Sequence, residues 1–397
     1  MSNTKQVDMQ LMSLGMVAVL TAQFLSALAD NAVLIAAIAI VKSRGLPNLV
    51  PLLQESFLVP FILLAPFVGQ LADSFPKGRV MLAANLLKLV GALGMMAGVN
   101  PLAAYAVIGI GAARYSPAKY GILAQMFGPE KLVRANGMME GSTIVAILLG
   151  VLLGGWLADY SMQWAFAGVV AAYSVAALAN LFIPRLPPEK TGESFHPLLL
   201  LKKFAGVLVL LSRNKDARFT LLGTSVFWGS GTTLRLMLFA WVPAVLLITD
   251  NQTPANLMGA VSVGIVLGAV VAGLWISLAN VNRALLGGLL LGPAVLALAF
   301  VHSLYPAYVL MVAIGLCGGL FVVPLNALLQ ERGHESVGAG NALAVQNFAE
   351  NIAMLLFVGA YSATAAAGMP VQAAAVWFGA IMLVILGVLA ASRLRPK

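Results

Sequence analysis

Twelve stretches of about twenty mostly apolar residues, parted by short polar breaks, leave this chain few environments in which to fold. They run Gly15–Val41, Val50–Ala72, Val80–Val99, Leu102–Ala124, Asn136–Asp159, Gln163–Ile183, Phe219–Leu247, Leu257–Ala279, Ala284–His302, Pro306–Leu328, Gly338–Thr364 and Val371–Ala391. Each is long enough for a helix to cross a hydrocarbon layer of roughly 30 Å. In lipid the backbone must satisfy its own hydrogen bonds, so the pattern predicts an all-α membrane protein of twelve transmembrane helices. Composition removes the alternatives. With 61% hydrophobic and 9% charged residues, 23 basic and 14 acidic side chains are too few to cover a water-soluble body. A soluble enzyme, a disordered chain and a disulfide scaffold are excluded. The one cysteine, Cys317, forms no internal disulfide and supports no cysteine-rich metal site.

The only long break, Pro184–Arg218, divides the spans six and six. We therefore expect an N-terminal half over residues 1–184, a basic linker over 185–218 and a C-terminal half over 219–397. The linker carries seven basic residues, and its apolar run Leu198–Leu211 is interrupted by Lys202 and Lys203. This reads as an interfacial helix. With the N-terminus inside, seventeen Lys and Arg fall in the inner tails and loops, against Lys42 and Arg44 outside. That asymmetry predicts cytoplasmic termini and explains the net charge of +9 without nucleic acid. Ala27-Leu28-Ala29 resembles a signal-peptidase site, but the apolar run continues past it to Val41. The halves also echo each other weakly around spans 1 and 7 and around spans 4–5 and 10–11, as two parallel repeats would.

Polar residues inside spans are costly and usually face a cavity or a partner. Span 1 sets Gln23, Ser26 and Asp30 on one face, with Asn31 beside it. Span 4 carries Arg114, Tyr115 and Lys119, and span 5 carries Asn136, Glu140 and Thr143. Span 7 lines up Thr224, Trp228, Gly231 and Arg235, and span 11 pairs Gln346 with Glu350 and Asn347 with Asn351. Asp30 and Arg235 sit deep at matching places in the two halves, which favours function. Lys119 and Glu140 read equally well as structural ion pairs or caps. Lys88 is a lone charge on span 3, read as snorkelling or paired. A cavity of mixed charge suits a zwitterionic or anionic amphiphile, and equally a proton relay; composition does not choose.

Enzyme motifs find little support. His334-Glu335 lacks the second histidine of a zinc protease, no phosphate-binding loop for ATP is present, and Gly229-Ser230-Gly231 lacks the spacing of a nucleophile elbow. We expect no enzyme activity, cofactor or metal.

Gly69-Gln70-Leu71-Ala72-Asp73 followed by Lys77-Gly78-Arg79 resembles the signature loop between spans 2 and 3 of the major facilitator superfamily. Ser74 departs from it, standing where a basic residue commonly follows the aspartate, and the matching Asn280-Val281-Asn282-Arg283 has lost its acid. The resemblance implies that Asp73 faces the start of span 11, that Asp73, Lys77 and Arg79 act in gating, and that they stabilise an outward-open state. Longer strings resemble the bacterial lysophospholipid transporters: QFLSALADN from Gln23, YSPAKYGIL from Tyr115, GTSVFWGSG from Gly223 and FVVPLNALLQERG from Phe321. That resemblance implies a flippase carrying lysophospholipids, such as lysophosphatidylethanolamine, from the outer to the inner leaflet of the bacterial inner membrane. It implies no direct ATP use, and functional coupling to a cytoplasmic acyltransferase. The binding set it suggests, with the polar stripes, is Asp30, Asn31, Tyr115, Lys119, Glu140, Trp228, Arg235, Gln346 and Glu350. Membrane lipids are the other expected partners, and a monomer is expected. The alternatives are a proton-coupled drug or metabolite antiporter using Asp30, Glu140 or Glu350, and a non-transporting membrane enzyme or scaffold of an acyltransferase complex.

Overall fold

The computed structural model describes residues 9–44, 50–189, 196–248 and 252–394. Lys5, Lys190, Arg395 and Lys397, counted above as inner basic residues, lie outside these ranges, as do Asp250 and Asn251. Among the described residues every regular element is helical.

Among the described residues ten helices are long and apolar enough to cross a membrane, or eleven if one bent pair counts as a single span. The pair is α2 (Val50–Leu63) and α3 (Ala65–Ser74), bent by 66° at Leu64. Pro66, in the first turn of α3, has no amide N–H and clashes with the preceding turn, so the helix breaks there. The remaining expected span, the fourth, is α5 (Pro101–Met126), whose 26 residues are long enough but too polar to pass on composition. Arg114, Ser116, Lys119 and Gln125 are the cause. Eighteen of its residues are buried, so neighbouring helices rather than lipid surround it.

The chain forms two compact units. One comprises residues 1–135, 142–211 and 330–348. It holds α1 (Leu14–Ser43), α2, α3, α4 (Lys77–Met96), α5, most of α6 (Pro129–Tyr160), α7 (Met162–Asn180) and most of α8 (Pro197–Arg213). The end of α12 (Leu304–Glu335) and the start of α13 (Ala339–Ala366) complete it. Its core packs Ala29, Val33 and Ala36 of α1 against Ile108 of α5 and Phe166, Val169 and Tyr173 of α7. The linker segment read as interfacial is helix α8, with Leu200, Val207 and Leu211 buried and Leu198, Leu199 and Lys202 exposed.

The other unit comprises residues 136–141, 212–329 and 349–397. It contains α9 (Lys215–Trp241), α10 (Gln252–Trp275), α11 (Ala284–Ala297), most of α12 and α13, and α14 (Val371–Leu394). Glycines recur at Gly-x-x-x-Gly spacing in the chain, among them Gly137/Gly141, Gly264/Gly268 and Gly315/Gly319. A methyl group built on Gly264 or Gly268 of α10 would overlap backbone of α12, and one on Gly315 or Gly319 of α12 would overlap backbone of α10. Only hydrogen fits where these helices cross. Long apolar side chains such as Leu152, Trp156, Val384 and Val388 are exposed on the helices, as in a protein whose outer surface meets lipid.

Candidate functional site

Two polar clusters stand out in the first unit. In the first, Asp30 of α1 is held from two sides. Lys88 Nζ of α4 donates to Asp30 Oδ2 at 2.7 Å and to Ser26 Oγ at 2.9 Å, and the Tyr173 hydroxyl of α7 donates to Asp30 Oδ1 at 2.7 Å. Ser26 in turn donates to Asn85 Oδ1 at 2.7 Å. The Lys88 ammonium also lies 4.9 Å from the centre of the Tyr115 ring, within cation–π range. Lys88 therefore does not snorkel: its side chain is 2% exposed and that of Asp30 18%. The pair is shielded from water, with the carboxylate as its wetter member. The buried Tyr115 hydroxyl and Asn85 Nδ2 meet no partner within strict hydrogen-bond geometry among the described residues, but the two side chains lie within reach of each other.

The second cluster surrounds the start of α13. The first amides of a helix lack intrahelical acceptors, and the residue before α13 is Gly338, at φ +96°, which has no side chain to cap them. Two carboxylates from distant sequence do so. Asp73, at the end of α3, accepts from Gly340 N at 2.7 Å, Asn341 N at 3.2 Å and Asn341 Nδ2 at 2.7 Å. Glu189, in the loop after α7, accepts from Ala339 N at 3.0 Å. Lys77, fully buried, lies 2.8 Å from Glu189 and 3.5 Å from Asp73. His334 Nδ1 stands 3.4 Å from Glu189. Burial works against ionisation of Glu189, but the His334 contact and the charge and hydrogen bond of Lys77 outweigh it and hold its carboxyl at about 2.

The other predicted residues are distributed as follows. In the first unit, Asn31 donates back to Ala27 O of its own helix at 2.8 Å, Lys119 is buried with its ammonium 4.3 Å from the Tyr120 ring centre, and Gln346 is buried. Arg79 is exposed. In the second unit, Glu140 is buried and accepts from Asn326 Nδ2 at 2.9 Å, and Glu350 is buried. Trp228 packs edge-on to Phe227. Arg235 is exposed, with no hydrogen-bond or ion-pair partner among the described residues. The second unit also holds an apolar cavity of about 280 Å³ between α13 and α14, lined by Phe357, Tyr361, Trp377, Phe378 and others. The structure thus brings Asp30 and Tyr115 together, and joins Asp73 with Lys77. Sequence reasoning missed Tyr173 and Glu189. The opposite charges of Asp30 and Lys88 within spans were the available signal for their pairing.

A multi-helix membrane body in which an aspartate at the end of α3 caps a later helix has the architecture of a membrane transporter. Residues 19–358 match the family model of the Major Facilitator Superfamily, and the chain belongs to that family. It is a transporter rather than an enzyme. The chain is 52% identical, over 374 residues, to the protein named lysophospholipid transporter LplT in Yersinia enterocolitica, covering 94% of this chain and 93% of that one. It is 50% identical over 382 residues to the protein of the same name in Escherichia coli O7:K1, covering 96% of each. Among solved structures it is similar to the human organic anion transporter MFSD10, with a TM-score of 0.75 at 16% identity, covering 95% of this chain and 99% of that one. It is also similar to the Escherichia coli fucose:proton symporter FucP, with a TM-score of 0.73 at 15% identity, covering 96% and 98%. At such identities these two share the fold alone.

Proposed function

We propose that the protein moves lysophospholipids from the outer to the inner leaflet of a bacterial inner membrane by alternating access, with both termini cytoplasmic. The observation that carries this reading is the 50–52% identity, over nearly the whole chain, to proteins named lysophospholipid transporters. The seventeen-to-two distribution of basic residues supports the orientation. The site chemistry agrees with such a substrate. A single acyl chain needs apolar wall, and a zwitterionic head group offers a phosphate to a cation and an ammonium to a carboxylate. Asp30 and Lys88 form a buried pair that such a head group opens by exchanging partners, with Tyr115 and Asn85 donating to the phosphate. Arg235, Trp228, Lys119, Glu140, Gln346, Glu350 and Asn31 are the further candidates for the path. Asp73 and Lys77 act as the inner latch, with Arg79 at its rim. The chain works as a monomer and delivers its product to a cytoplasmic acyltransferase.

The test is reconstitution into liposomes with a fluorescent lysophosphatidylethanolamine placed in one leaflet. Translocation at least about tenfold above protein-free liposomes is expected, which is a barrier reduction of about 1.4 kcal/mol. A rate equal to the control overturns the reading. A rate that follows an imposed pH gradient, and loses that dependence in Asp30→Asn, supports proton coupling instead. Hydrolysis or acylation of the lipid by the purified protein supports an enzyme.

A further inference from the structure

Glu189 belongs to no polar stripe or signature motif and sits in a strongly basic linker, yet it is among the most engaged acids of the molecule. Its position is prepared locally. Pro187 and Pro188 hold the backbone extended ahead of it, and Gln125 Nε2 of α5 reaches Pro187 O at 3.4 Å. The carboxylate is nearly fully buried and divides its oxygens. Oε1 takes Lys77 at 2.8 Å and faces His334 at 3.4 Å, while Oε2 takes the first amide of α13, Ala339 N, at 3.0 Å. Asp73 covers only the next two amides, and its distance to Lys77, 3.5 Å, is longer than that of Glu189.

We propose that Glu189 is a positioning residue of the inner gate. It straps the loop after α7 to the first turn of α13, so that the gate opens only when Asp73 and Glu189 both release that turn. This rests on the reading of the Asp73 cluster as an inner latch. Three physical terms support it. The N-terminus of α13 carries about half a positive charge, which favours a nearby anion. Gly338 gives that helix no cap of its own, so losing Glu189 leaves the Ala339 amide buried without its acceptor. And Lys77, fully buried, would be left with a single, more distant acid.

The experiment uses the full chain in liposomes, with Cys317→Ala and spin labels on Phe75→Cys and Ser336→Cys. Both label positions are exposed, beside α3 and α13 respectively. Pulsed dipolar spectroscopy reads the distance between them, and lysolipid translocation is followed in parallel. Glu189→Gln is expected to raise the longer-distance population on the order of tenfold and to change the translocation rate. Glu189→Asp, which keeps the charge on a shorter arm, is expected to give a smaller shift. It replaces the Gln variant should that one fail to purify as a single species. Unchanged distances in a folded Gln or Asp variant overturn the proposal. A distance shift on losing Glu189, in a parent protein that itself moves no lysolipid, upholds the strap and sinks the substrate reading; translocation by the parent with distances unshifted in the variant does the reverse.

Discussion

Lys88 Nζ lies 2.7 Å from Asp30 Oδ2, tying the third expected span to the first by a charge pair that water barely reaches. Removing one member of a buried pair leaves its partner's charge uncompensated, which typically costs about 3–5 kcal/mol, more than the pair itself contributes. The two single variants are not equivalent, because Asp30 keeps some contact with solvent and a hydrogen bond from Tyr173, whereas Lys88 is almost wholly enclosed. Asp30→Asn strands the ammonium and should lower the unfolding temperature more than Lys88→Met, which strands the wetter carboxylate. Asp30→Asn combined with Lys88→Met should recover most of the stability while transport stays below about a tenth of wild type. Thermal unfolding of the purified proteins and the liposome assay check both parts, and an additive double variant contradicts the pairing.

Gly69 offers a second test of the latch. A methyl group there would stand 2.7 Å from Asn341 Cα and 2.9 Å from Gly340 O, and backbone atoms cannot swing aside as a side chain would. Gly69→Ala should therefore push α3 away from α13 and pull Asp73 off the amides it caps. The longer-distance population between labels at Phe75 and Ser336 should rise, as it does on losing Glu189, although no charge has changed. A distance distribution identical to wild type would mean that contact at Gly69 does not hold the latch.

These cases mark what was legible in the residues. Helix number followed from apolar length only approximately: twelve spans were expected, and ten to eleven helices pass on length and hydropathy among the described residues. The fourth expected span, Leu102–Ala124, falls on α5, which is long enough but too polar to pass. Asp73 was legible because its motif has a known partner. Lys88 was visible only as a charge needing a partner, since periodicity gives the face of each helix but not which faces meet. Glu189 was hidden entirely: its neighbours Pro188 and Lys190 suggest a solvated loop, and its partners lie up to 150 residues away. The one local hint was Gly338, a helix start with no side chain to cap itself.

Close helix crossings give a paired prediction with its own control. Gly315→Ala in α12 would overlap Val261 O and Gly264 Cα of α10, and overpacking of this kind costs about 1–3 kcal/mol. Gly141, in an equally regular Gly-x-x-x-Gly, has nothing within 4 Å of an added methyl. Gly315→Ala should thus lower the yield of monodisperse protein and its unfolding temperature, while Gly141→Ala leaves both unchanged or slightly improved, alanine being the better helix former. Equal loss in the two variants would mean that the motif acts through something other than the α10–α12 contact.

The strap makes a prediction about pH whose sign can be worked out. The Glu189 carboxyl is held at about 2 in the folded protein, below its ordinary 4.5. A depressed folded value means that its contribution to the closed latch is complete above about 4.5 and is lost as pH falls from there towards 2. Lys77 and His334 face it directly, with Asp73 beyond Lys77 and Glu331 acting on His334. His334 titrates in the neutral range when unperturbed, so the measurement is made in a His334→Asn background, where the Glu189 carboxyl is lowered less because only the charge and hydrogen bond of Lys77 still oppose its burial. The acids near Glu189 respond to low pH as well, and the quantity to follow is therefore the difference between the parent and its Glu189→Gln derivative. Labels at Phe75 and Ser336 should give a difference in closed population that is level from pH 8 to 5. It should then shrink as pH falls below about 4.5, because the parent is losing a charge that the Gln variant never had. A difference that instead collapses between pH 8 and 6 would show that Glu189 is not ionised through that range and that Lys77 and α13 are held together by other means.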